Sequence, residues 1–105
     1  MNASIDGQVL AAITCSPALE SQLIDWLLLQ EGGAGFSSVQ VHGHSTRHEH
    51  LSIAEQVSGR QRRLQFQIQL DAARLDEFLG GLKTEFAGAD IHYWAVPILA
   101  GGHLG

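Results

Sequence analysis

Arg63-Leu64-Gln65-Phe66-Gln67-Ile68-Gln69-Leu70 alternates apolar and polar side chains without a break. Successive side chains of a strand point to opposite faces, so this period of two makes one face of Leu64, Phe66, Ile68 and Leu70 and another of Arg63, Gln65, Gln67 and Gln69. The apolar face needs a layer to cover it, and the chain on both sides supplies that layer. The amide face is polar but uncharged. It suits solvent and a hydrogen-bonded subunit contact equally well.

Downstream, Asp71 is placed to cap a helix, and Leu75, Phe78, Leu79, Leu82 and Phe86 follow at helical spacing. Gly80-Gly81 weakens this helix in the middle, and Gly88 closes it. Ile91–Leu99 reads as a last strand, with Pro97 at its end or on a sheet edge because proline donates no ladder hydrogen bond. Upstream lies a strand at Phe36–Val41. Before it, Ser16-Pro17 is a helix start, a capping hydroxyl followed by proline in the first turn. Leu19, Leu23, Trp26, Leu27 and Gln30 set a helix over Pro17–Gln30, with Ile24 and Leu28 widening its apolar face and Gly32, Gly33 and Gly35 ending it. Gln8–Thr14 is apolar on both faces and reads as a central strand. The order strand–helix–strand, twice, is the α+β ferredoxin-like βαββαβ plan, a four-stranded antiparallel sheet with both helices on one face. The other face, with Leu10, Ala12 and Trp94, would be bare, so an oligomer interface is expected there.

The chain has 105 residues, enough for one domain. We bound its core at 8–99 and treat 100–105 as a loose tail. Hydrophobic content of 45% and charged content of 16% describe a globular protein. A net charge of −5 argues against a nucleic-acid partner. The single cysteine, Cys15, forms no intramolecular disulfide and fits a reducing compartment. Met1–Gly7 lacks the features of a signal peptide, and Ile24–Leu29 is too short to span a bilayer. The expectation is a soluble, cytoplasmic protein.

Between the second and third strands runs a polar excursion, His42–Arg63, with its tip at 45–59. It holds four of the six histidines and four of the five arginines. Loops of this length without structure of their own are functional or disordered, and residues 45–59 are expected to be the most mobile internal segment, ordering on binding. Ser52-x-x-Glu55 fits a capping box, so a short helix within it is open. His42-x-His44 and His48-x-His50 are metal-ligand candidates for Zn, Cu, Ni or Co, since residues two apart on an extended segment share a face. A solvated loop is the alternative. Arg60, Arg62 and Arg63, with Arg47, are candidates to hold an anion by charge-assisted hydrogen bonds; otherwise they are a solvated strand end paired with Glu49 or Glu55. Cys15 reads as a packed, inert thiol. Trp26, Tyr93 and Trp94 read as core or interface, and His92 as a buried, hydrogen-bonded side chain. No nucleophile elbow, phosphate loop, zinc-protease pair or carboxylate dyad is present, so nothing marks an enzyme.

Two segments carry a family resemblance. Gly35-Phe36-Ser37-Ser38-Val39-Gln40-Val41-His42-Gly43 resembles the second strand of PII signalling proteins. Ala54-Glu55 followed by Arg62-Arg63-Leu64-Gln65-Phe66-Gln67-Ile68 is similar to the PII segment that returns from the T-loop. Pro17-Ala18-Leu19-Glu20, Asp25-Trp26-Leu27-Leu28, Ser52 to Arg60 and His92-Tyr93-Trp94 resemble, more closely, a PII-like family of unknown function whose members often lie beside heavy-metal efflux genes. The resemblance implies a homotrimer with clefts between subunits and a T-loop at 45–59. It also implies an effector-dependent dock on a target protein, such as a membrane transporter. Ser37, His44, Arg47, Arg60, Arg62 and Arg63 are then the effector-binding candidates, and His42, His44, His48 and His50 the metal candidates.

The chain departs from true PII proteins where they hold nucleotide phosphates. Phe86-Ala87-Gly88-Ala89-Asp90 has no lysine and adds a carboxylate, and Ile98-Leu99-Ala100-Gly101 replaces the arginines after the last strand. ATP binding of the usual kind is therefore not expected. The only tyrosine, Tyr93, lies far from the excursion, which excludes uridylylation. The rival readings are a metal-binding protein like the CutA family and a ferredoxin-like small-molecule enzyme.

Overall fold

The alternation at 63–70 is the middle of a longer strand. The computed structural model describes residues 7–30, 35–44 and 60–105. Its elements are β1 (Gln8–Cys15), α1 (Glu20–Leu28), β2 (Phe36–His44), β3 (Arg60–Asp71), α2 (Leu75–Glu85) and β4 (His92–Pro97). The strands form one sheet in the order β2-β3-β1-β4, with every neighbouring pair antiparallel. This is the ferredoxin-like arrangement expected from the element order. Pro97 is the last residue of the edge strand β4, where its missing N–H costs no ladder bond.

The sheet's helix side holds the core. Ala11, Ile13 and Cys15 of β1 and Leu64, Phe66 and Ile68 of β3 are buried against Leu23 and Leu27 of α1 and Phe78 and Leu82 of α2. Phe66 and Ile13 are fully enclosed; burying each side chain contributes about 1.5–3 kcal/mol. The two helices meet through Trp26, whose ring lies 5.3 Å from Phe78 and 5.9 Å from Phe86, centroid to centroid. Gly81 makes room for it: a Cβ there would stand 3.3 Å from Trp26 Cζ2. Gly88 turns the chain out of α2 at φ 83°, a left-handed conformation that glycine adopts without strain.

Local details differ from the sequence expectation. Ser16 Oγ accepts from the Ala18 amide at 3.1 Å, but it caps a 3-10 turn, Pro17–Leu19, and α1 begins only at Glu20. Leu28 does not widen the buried face. It is 69% exposed, because Leu23 and Leu27 set the inward line and Leu28 lies one helical step, about 100°, away. Asp71 makes no side-chain cap. It precedes a 3-10 turn, Ala72–Arg74, and its carboxylate accepts from the Gln8 side chain across the β1–β3 pair.

The largest difference is at the excursion. β2 continues through His44 and β3 starts at Arg60, in register to the pair His44↔Arg60. Backbone pairing therefore takes in both ends of His42–Arg63. The T-loop-like tip 45–59, with Arg47, His48, His50 and the Ser52/Glu55 box, lies outside the described residues.

Candidate functional site

The register sorts the candidate residues onto two faces. Residues paired across a ladder share a face, so Arg63 lies with Gln65 and Gln67 on the side away from the helices. Arg62 lies on the helix side with Leu64 and Phe66. The exposed His42 stands opposite Arg62, and the exposed His44 opposite Arg60. This end of the β2–β3 ribbon runs past the residues that the helices cover. The structure thus brings His42, His44 and Arg62 together and puts Arg63 behind them.

Arg63 is buried, with 8% of its surface accessible. Its Nη2 donates to Asp90 Oδ2 at 2.7 Å, Nη1 to the Asp90 carbonyl at 3.3 Å and Nε to Gln61 Oε1 at 2.9 Å. Its stem passes over Gly43, where a Cβ would stand 3.7 Å from Arg63 Cγ. The fork of the guanidinium is matched by two oxygens of one residue, so this arginine fastens the start of β3 to the turn between α2 and β4. Sequence reasoning missed this pairing and offered Glu49 or Glu55. The partner lies 27 residues away, with no local spacing to signal it. His92, expected buried, has a 70% exposed side chain with Nε2 3.6 Å from Asp90 Oδ1. It opens an edge strand, flanked by β1 on one side only.

Ser37 is exposed on β2 on the side away from the helices, so it shares a face with Arg63 and not with His44. Arg47 lies outside the described residues. Of the metal candidates, His42 and His44 share a face of β2, and His48 and His50 lie outside the described residues. Among the described residues no three His, Cys, Asp or Glu side chains converge on one point. Cys15 is fully buried, and burial pushes its thiol pKa up, against the opposing pull of Arg63 and with a smaller push from Glu20. That is the reverse of what a reactive thiol needs.

The side away from the helices is the second feature. Ala12 is buried beneath its neighbours, while Val39 is 46% exposed, Trp94 51% and Val96 45%. Through the middle runs a chain of amides. Gln67 Nε2 donates to Gln65 Oε1 at 3.0 Å, and Gln65 Nε2 donates to Thr14 Oγ1 at 3.2 Å. The charged residues that β3 places on this face, Arg63 and Asp71, stand at its two ends, and each is engaged, by Asp90 and Gln8 respectively. At the far end of the sheet from the ribbon, a cleft of about 330 Å³ opens between the helices, with Phe36, Ile68 and Phe78 in its wall and Arg74 and Glu77 beside it. Among the described residues no helix is long and apolar enough to cross a membrane.

Comparison with known proteins adds the following. The chain is similar to a DUF3240 family protein from Shewanella baltica, with a TM-score of 0.77 and 22% identity over 94% of this chain and 98% of that one. It is similar to a putative PII-like signalling protein from Thermus thermophilus, with a TM-score of 0.60 and 14% identity over 85% of this chain and 84% of that one. It is also similar to CutA from Synechococcus elongatus, solved with a Bis-Tris molecule, with a TM-score of 0.66 and 16% identity over 90% of this chain and 83% of that one. At these identities the likeness establishes a common fold. No curated protein matches the sequence. A family model described as protein of unknown function (DUF3240) matches residues 6–105. The chain therefore belongs to the DUF3240 family, with a fold of the PII-like and CutA kind.

Proposed function

We propose that the protein is a non-catalytic, PII-like regulator. It assembles as a homotrimer, senses a small effector at the root of the β2–β3 ribbon and docks segment 45–59 on a target protein, with a membrane transporter as the expected kind of target. The observation that carries this reading is the sheet face away from the helices. Trp94, Val39 and Val96 flank a row of mutually bonded amides whose charges lie only at its ends. Apolar side chains around an amide row that needs matching partners suit a specific protein contact better than water. Every copy carries net charge −5, so a face without free charge is where copies meet with least repulsion.

Size-exclusion chromatography with light scattering tests the reading. The expected mass is three times the 11.3 kDa protomer. Trp94→Glu, which puts a carboxylate on this face, is expected to leave a folded monomer. A parent protein that is monomeric at micromolar concentration overturns the proposal.

A further inference from the structure

We propose that the cleft at the far end of the sheet from the ribbon binds a free α-amino acid with an apolar side chain, its carboxylate held by Arg74 and its ammonium by Glu77. The inference goes beyond the regulatory reading and does not depend on it. It rests on two opposite charges that the fold leaves open at the mouth of an apolar hollow. The hollow has a volume of about 330 Å³ and is walled by Leu27, Phe36, Ile68, Leu70 and Phe78. Ligand cavities begin at about this size, and they are mostly apolar with a few placed polar groups. Leu27, Ile68 and Phe78 belong to the core, so the back wall is formed before any ligand arrives. Leu28 lines the hollow too and is 69% exposed, a lip of apolar surface that a ligand would take out of water.

The charges come from one run of helical turns. Arg74 closes the 3-10 turn Ala72–Arg74 and α2 follows at once with Leu75, so Arg74 and Glu77 are three residues apart in that run. Both line the cleft, and Arg74 is half-buried there. Side chains at this spacing are neighbours, about 5–6 Å between Cβ atoms, and opposite charges placed so commonly pair. Here they do not. Among the described residues neither Arg74 nor Glu77 makes a hydrogen bond or an ion pair. A surface pair contributes little to stability, so leaving this one open costs the fold almost nothing. The third charge on the rim, Asp71, is already engaged by the Gln8 side chain.

The combination selects the ligand. A wholly apolar molecule would leave both charges unused. A plain carboxylate would set its charge beside Glu77, and a plain amine would set its charge beside Arg74. An α-amino acid carries both charges on one carbon. Its carboxylate can accept two parallel N–H bonds from the guanidinium, and its ammonium can donate to the Glu77 carboxylate. Its side chain is then left for the apolar wall of Phe36, Ile68 and Phe78.

Isothermal calorimetry on the full chain tests this, with L-leucine, L-alanine, isocaproate and isoamylamine titrated separately. Isocaproate is leucine without its amino group, and isoamylamine is leucine without its carboxylate. Leucine is expected to bind. Each of the other three is expected to bind about tenfold more weakly or worse, the scale of one lost charge-assisted bond or of a few methyl and methylene groups left unburied. Arg74→Gln and Glu77→Gln are each expected to weaken leucine binding by about tenfold. Lys83→Gln removes a charge from the other end of α2, over the Tyr93 ring, and is expected to leave binding unchanged. The inference is overturned if leucine does not bind at millimolar concentration, if either Arg74→Gln or Glu77→Gln binds it as tightly as the parent, or if Lys83→Gln weakens it as much as they do. It is overturned too if isocaproate or isoamylamine matches leucine, because one of the two charges then plays no part, or if alanine does, because the hollow then takes no side chain. The mass of the assembly bears on the regulatory reading alone and leaves this site standing.

Discussion

Removing Asp90 should cost more stability than removing its partner. Arg63 has 9% of its side-chain surface exposed and Asp90 has 61%. Asp90→Ala leaves a guanidinium in a nearly dry site with, among the described residues, Gln61 Oε1 and the residue-90 carbonyl as acceptors. A hydrogen bond to a charged group contributes about 1.5–3 kcal/mol, and the solvent around the exposed carboxylate brings the expected loss to the lower end, about 1.5–2 kcal/mol. Arg63→Met keeps the aliphatic stem over Gly43 and releases a carboxylate that water already reaches, so it should cost less than about 1 kcal/mol. Once Arg63 is methionine, the second change no longer strands a buried guanidinium. The double variant should then match Arg63→Met, with a coupling of about 1.5–2 kcal/mol between the two sites, the whole cost of Asp90→Ala. Urea unfolding at one fixed protomer concentration measures all three, because association shifts apparent stability. Equal costs that add in the double variant would refute the reasoning and make the pair a solvent-screened surface contact.

Adjacent glycines of α2 should respond differently to alanine. Gly80 has open space where a Cβ would go, so Gly80→Ala should raise stability by about 1 kcal/mol, the helix-propensity difference. Gly81→Ala gains the same propensity but sets its methyl 3.3 Å from Trp26, so its urea midpoint should rise less than that of Gly80→Ala; an equal rise would remove the proposed tight fit. At pH about 8.5, where an ordinary thiol is half ionised, Cys15 should react with iodoacetamide much more slowly in the native protein than in urea, because burial raises its pKa and blocks access. Equal rates would mean that the β1–α1 packing opens readily.

Both helices and the two central strands, β1 and β3, were legible because each buries a repeating set of side chains. Phe66 and Ile68 alternate with glutamines, and Leu23 with Leu27 and Phe78 with Leu82 recur four apart, so local periodicity reports the layer they face. The bare sheet face was legible for the same reason, through Leu10 and Ala12. Periodicity falls silent at the ribbon. His42, Gly43, His44 and Arg60 to Arg62 carry no apolar alternation that would mark them as strand, and their pairing follows from ladder hydrogen bonds that continue beyond the apolar register. Which arginine is structural was also beyond the sequence. Arg62 and Arg63 are adjacent and chemically identical, yet a strand sends them to opposite faces. Only the folding of β4 against β1 brings Asp90 to one of those faces, 27 residues along the chain from the arginine that it holds. Sequence alone determined the elements and their apolar faces, which are set by neighbours a few residues apart. Tertiary structure decided which charges meet, because that depends on which strand ends the sheet brings side by side.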